Sequence, residues 1–130
     1  MQALSIVAAL LNAASPVSAL VGTRIHVLQL PQNTAFPAIA LDYMLDEPME
    51  LISTGTQLRR CDVTAHALAK SQASLQVLQY AIEAACAFQR GTFAGFSTQS
   101  VSASSIGKIE FDSTQVVWYM PITFTVIYRR

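Results

Sequence analysis

The chain has 130 residues, with 8 basic and 8 acidic side chains and a net charge of zero; its mass is 14.1 kDa and its mean hydropathy +0.40. That length is one domain, 1–130, and folding can bury roughly two-thirds of the extended chain's surface. Charged residues are 12% and hydrophobic ones 52% of the chain, which excludes a disordered chain and a protein that coats nucleic acid or an anionic membrane.

So little charge suits a soluble monomer badly. Either partners cover much of the surface or the chain lies in a membrane. The uncharged stretch from Met1 to Thr23 is interrupted by Gln2, Ser5, Asn12, Ser15, Pro16 and Ser18, and its longest apolar run is Ile6 to Leu11. A spanning helix needs about 20 predominantly apolar residues. The expectation is a subunit of an obligate assembly, with no membrane partner.

In chain order, Ile6, Val7, Leu10, Leu11 and Ala14 share one face of a 3.6-residue period. They predict an amphipathic helix stopped by Ser15-Pro16. The competing reading is a secretion signal cleaved after Val17-Ser18-Ala19, but its n-region has no basic residue. Leu20 to Thr23 predicts a turn into a short strand, Arg24 to Leu28. Pro31 to Thr34 predicts a loop. Ala38 to Leu45 alternates like a strand, with Ile39, Leu41, Tyr43 and Leu45 on one face. Asp46 to Gly55 reads as a polar connection, and Thr56 to Ala67 as a strand. Cys61, Val63, Ala65 and Ala67 form that strand's apolar side, opposite Arg60, Asp62, Thr64 and His66.

Ser71 to Gln89 predicts a helix, N-capped by Ser71 and stopped near Arg90 and Gly91. Leu75, Leu78, Ile82 and Ala85 mark its buried stripe, widened by Val77, Ala81 and Phe88; Gln72, Gln76, Gln79 and Glu83 mark the wet one. The Ser-rich stretch Ser97 to Ser105 reads as a flexible loop or the tip of a long hairpin. The last strand has large apolar residues at every even position from Val116 to Tyr128, with Thr123, Thr125 and Arg129 opposite. Pro121 predicts an edge or a bulge, and a bulge would switch the face after Met120. The fold class is α+β: a mostly antiparallel sheet of four or slightly more strands with two helices on one face.

Motifs with chemistry are missing. No GxGxxG, P-loop or GxSxG occurs. His26 and His66 have no partner pattern, and an enzyme site on His66 and Asp62 has nothing positive in its favour. Cys61 and Cys86 match no metal-ligand spacing and read as buried thiols, with a single disulfide left open. Asp42, Asp46, Glu47 and Glu50 cluster, but Pro48 interrupts them and they match no calcium loop. Arg59-Arg60 and Arg129-Arg130 are basic pairs suited to an interface, too small for a nucleic-acid footprint. No cofactor, no metal and no catalytic residue is expected.

The order of elements nevertheless resembles a family. An opening helix runs into Leu20-Val21-Gly22-Thr23-Arg24-Ile25. Pro31-Gln32-Asn33-Thr34-Ala35-Phe36-Pro37-Ala38-Ile39 leads into a strand. Arg60 to Ala67 enters an Ala- and Leu-rich helix, and Val116-Val117-Trp118-Tyr119 opens the last strand. Over roughly residues 4–130 the chain resembles the small tail completion proteins, or tail terminators, of long-tailed bacteriophages. It departs from them in its uncharged central helix and its Ser-rich segment. The resemblance implies a structural virion protein of the tail or neck, assembled in the host cytoplasm. It implies a homohexameric ring that ends tail-tube growth and docks to the head connector, with genomic DNA passing through its lumen. The expected partners are other copies of the chain, the tail tube protein, a head-completion protein and, transiently, DNA. On that reading Asp46, Glu47 and Glu50 form an acidic loop facing the lumen. Ser97, Thr98, Gln99, Ser100, Ser102, Ser104 and Ser105 form a loop contacting the tube. Arg59, Arg60, Arg129 and Arg130 serve interfaces. The alternatives are an adaptor ring one layer nearer the capsid and a secreted binding domain.

Overall fold

A computed structural model describes residues 2–28, 35–49, 58–114 and 116–129. Three helices, α1 (Gln2–Ala13), α2 (Ser15–Val21) and α3 (Gln72–Cys86), lie on one face of a sheet. The strands are β1 (Ile25–Val27), β2 (Ala38–Met49), β3 (Leu58–Ala69), β4 (Gln89–Phe93), β5 (Phe96–Ile106), β6 (Glu110–Asp112) and β7 (Val117–Arg129). Their order across the sheet is β1-β2-β3-β7-β5-β4, with β6 beside β7. Among the described strands only β1 and β2 are parallel. The α+β class holds; among the described residues the sheet has seven strands and the helices number three.

The extra helix comes from Pro16. Its missing N–H ends the α1 ladder, yet a proline is at home in a helix's first turn. The chain therefore kinks at Ala14, which is extended, and restarts as α2 with Pro16 in its first turn. Gly22, at φ +60, closes α2 through its N–H to the Ser18 carbonyl at 2.8 Å. Among the described residues no single helix is long and apolar enough to cross a membrane; α1 and α2 diverge by 88°. Leu4, Ile6, Val7 and Leu11 of α1 and Val17 of α2 are fully or almost fully buried. Cleavage after Ala19 would strip all five from the core, which argues against the secreted alternative.

The sheet supplies the other wall. Cys61, Val63, Ala65, Ala67 and Ala69 of β3 pack beneath the helices, beside Met120, Ile122, Phe124, Val126 and Tyr128 of β7. The small β3 side chains leave room for Leu75, Leu78 and Ile82 of α3, all fully buried. Ser71 caps α3 as expected, its Oγ accepting from the Ser74 N–H at 3.2 Å.

Five expectations change. The helix ends at Cys86, because Ala87 turns extended (φ −68°, ψ 138°) and Phe88 takes a positive φ of 59°; Arg90 and Gly91 belong to β4. Val77 is 53% and Phe88 93% exposed, so neither widens the buried stripe. Asp46 to Met49 continue β2 where a connection was expected. Ser97 to Ser105 form strand β5 where a loop was expected, because the β7 ladder captures their backbone. Finally, Pro121 sits inside β7 without switching its face: Met120 and Ile122 are both buried. The Pro121 carbonyl accepts from the Gly107 N–H at 2.8 Å. A strand residue's N–H and C=O point the same way, so the missing N–H faces the β5–β6 connection. The β3–β7 ladder therefore runs unbroken from Leu58↔Arg129 to Ala69↔Trp118.

Candidate functional site

The face of the sheet away from the helices is polar. Even-numbered residues of β3 meet odd-numbered residues of β7 there: Asp62 opposite Thr125, Thr64 opposite Thr123, His66 opposite Pro121. The Thr125 hydroxyl donates to Asp62 Oδ1 at 2.9 Å. The hydroxyls of Thr64 and Thr123 share a hydrogen bond at 3.2 Å. Ser102 of β5 extends this row opposite Thr125, and the Ser104 hydroxyl donates to the Thr123 carbonyl at 3.1 Å. The result is a cross-strand hydroxyl ladder that binds its own members and leaves a mixed, weakly charged surface. The alternation of β3 and β7 signalled which residues share this face. It carried no signal for which strand pairs with which.

The acidic residues divide. A bulge between Tyr43 and Leu45 shifts the β2 register. Asp46 then lies opposite Cys61, on the helix side, while Glu47 lies opposite Arg60, on the open face. Asp46 accepts from Arg59 Nε at 3.1 Å. That bond, with the Asp46 charge, raises the Arg59 pKa above its ordinary value against a smaller opposing effect of burial. Tyr128, next to Arg59 in register, has its pKa raised by burial and by the Asp46 charge, with Arg59 opposing. Glu47, Arg60 and Arg129 are exposed. Glu50 and Arg130 lie outside the described residues, so the acidic group is known here only as two strand residues on opposite faces.

The Ser-rich segment is graded. Thr98 is buried and donates its hydroxyl to the Phe96 carbonyl at 3.3 Å. Ser97 and Gln99 are exposed, and Ser100 is half-buried. Strand β4 pairs with residues 96–101 of β5 but reaches no further. Ser102, Ser104 and Ser105 are exposed, on a part of β5 that no described strand covers on its outer side.

Among the described residues no group of three or more His, Cys, Asp or Glu is placed to hold a metal ion. Both thiols are free and buried. Burial pushes Cys86 up to about 12; burial, with the nearby Asp46 charge, pushes Cys61 up to about 11. Thiols held protonated are poor nucleophiles. His26 lies in β1 at one margin of the sheet and His66 on the open face beside Ala40, so the fold does not bring them into a dyad.

What the fold does present is two margins. At one, β1 covers β2 only at Ile39, Ala40 and Leu41. Past Leu41, no described residue pairs with the outer side of β2, and Met44, the bulge residue, is 76% exposed. At the other margin β4 pairs, among the described strands, only with β5, and Phe88, just before it, is the most exposed large apolar side chain among the described residues. Unpaired strand margins are ready templates for pairing with another chain.

Comparison with known proteins gives a family and a fold. A family described as tail completion protein gp17 matches residues 5–128. No curated protein sequence matches. A chain from the virion of a native gene transfer agent particle has the same fold, with a TM-score of 0.76 and 13% identity. The match covers 96% of this chain and 92% of that one.

Proposed function

This chain belongs to the tail completion protein gp17 family, and from that premise we propose that it forms a homohexameric ring at the head-proximal end of a phage tail. The ring ends growth of the tail tube and joins the tail to the head connector. Its action is structural, without catalysis, and genomic DNA passes through its lumen. The family match over nearly the whole chain carries this reading.

Physical features support it. A closed ring needs two different faces per subunit, and the sheet has two different margins. Charged residues at 12% of the chain suit a subunit with large covered surfaces. The hydroxyl-rich open face fits a lumen wall. It bonds to itself and carries acids as well as bases, so it offers passing phosphates little grip. Of the acidic residues proposed for the lumen, Glu47 lies on the open face, whereas Asp46 lies on the helix side and is engaged by Arg59. Ser102, Ser104 and Ser105 remain the proposed contact with the last tube ring, presented by a strand. Arg60 and Arg129 serve subunit boundaries; Arg59 acts within the chain through Asp46.

Native mass together with negative-stain images tests the ring. Six copies of the 14.1 kDa chain give about 85 kDa with a central hole. A monomer that also fails to bind isolated tail tubes would overturn the reading. An adaptor ring nearer the capsid predicts the same mass, and labelled particles separate the two by position.

A further inference from the structure

The two margins of the sheet match each other in height, direction, polarity and charge. Register carries one margin across to the other. Gln89 lies opposite Val101, Val101 opposite Val126, Val126 opposite Cys61, and Cys61 opposite Asp46. Likewise Gly91 leads through Thr98, Tyr128 and Arg59 to Pro48. Arg90 therefore stands at the height of Glu47. Phe88 stands at the height of Leu45, beside the bulged Met44.

Direction agrees as well. Four successive antiparallel pairings separate β2 from β4, so the two strands run the same way. Gln89 and Gly91 share the helix-side register with Asp46 and Pro48, which leaves Arg90 and Glu47 both on the open face. The two most exposed large apolar side chains among the described residues, Phe88 at 93% and Met44 at 76%, fall at nearly the same height. Residues 42–47 of β2 carry Asp42, Asp46 and Glu47 and no base, whereas the only charge on β4 is Arg90.

We infer that β4 of one copy adds in parallel to the margin of β2 past Leu41, which no described strand pairs, in the next copy, so that the sheet continues from subunit to subunit. Phe88 of the first copy packs on Met44 of the second, a contact that favours an aromatic ring against a thioether. Arg90 pairs with Glu47 across the same seam. Pro48, with no N–H to donate, ends the pairing. The joined margins differ, so the contact is heterologous and closes only as a ring. This seam rests on the ring reading above and adds to it which strands and side chains make the boundary.

The test is a charge exchange, read as the protein concentration at which the 14.1 kDa chain becomes ring. Both residues are exposed, so Arg90→Glu and Glu47→Arg leave the fold intact, as circular dichroism will show. Each single reversal sets like charges together and raises the assembly concentration about tenfold or more. The double variant returns it to near the wild-type value, and Phe88→Ser raises it without rescue by either reversal. Wild-type rings with single variants that assemble equally well would overturn the seam and leave the ring standing. A double variant no better than the singles would also overturn it. Wild-type protein that stays monomeric both alone and on isolated tail tubes would remove the ring and the seam together.

Discussion

The ring of Pro121 occupies the space that a side chain on Gly107 would need. A Cβ built on Gly107 collides with Pro121 Cγ and crowds Cδ, while the Gly107 N–H donates to the Pro121 carbonyl at 2.8 Å. The close approach lets β7 hold a proline in mid-strand, since the connection from β5 to β6 folds against the side that has no N–H. Gly107→Ala should therefore destabilise the domain by about 1–3 kcal/mol, the range for overpacking a fitted site. Urea unfolding reads this as a lower midpoint; an unchanged midpoint would show that the connection yields freely.

The hydroxyl pair of Thr64 and Thr123 should behave as a coupled unit. Thr64→Val leaves the Thr123 hydroxyl without its 3.2 Å partner, at a cost of about 1 kcal/mol. Replacing both by valine removes donor and acceptor together and should cost less than the sum of the single changes. A double-mutant cycle in urea measures the difference, and strict additivity would mean that the pair contributes nothing as a pair.

The thiols make stability fall at alkaline pH. In the unfolded chain both ionise near the ordinary value of 9.0, whereas in the fold Cys61 is raised to about 11 and Cys86 to about 12. Between those values the unfolded state has released protons that the folded state keeps. Unfolding thus becomes easier as pH rises. The contribution is whole below pH 9.0 and lost on passing 11 to 12. Unfolding curves from pH 8 upward, compared with a Cys61→Ala/Cys86→Ala variant, should show a shallower decline in the variant. Neither native thiol should react with a disulfide reagent until the protein is denatured.

The exposed end of β5 should matter to tails and little to the fold. Ser102 and Ser105 lie on the surface, so Ser102→Asp with Ser105→Asp should shift the melting temperature by only a degree or two. Electron microscopy of particles assembled with this variant should show overlong or headless tails. Virions of normal length with heads attached would speak against a tube contact here.

The legible parts of the sequence were those where periodicity met burial. Leu75, Leu78 and Ile82 at helical spacing, Ser71 as cap, and the alternation of β3 and β7 all follow from one-dimensional pattern. The illegible parts depended on tertiary pairing. Nothing local marks Ser97 to Ser105 as a strand; serine prefers turns, and only the ladder to β7 overrides that preference. The second helix was hidden because Pro16 reads equally as a stop and as a start. The division of Asp46 from Glu47 was hidden because a bulge at Met44 has no dependable sequence signal. Phe88 falls on the core stripe by spacing, whereas the chain turns at Ala87 and sends it outward.

The unbroken ladder between β3 and β7 has a mechanical side. Every residue from Leu58 to Ala69 has its partner there, so a pull along the strand axis loads all the rungs in shear at once. A pull across the sheet opens rungs singly, beginning at the thin margins of β1 and β4. A wall built from such sheets is stiff along its strands and compliant at its seams. A filament forced through it under pressure would strain the joints between subunits well before the subunits themselves.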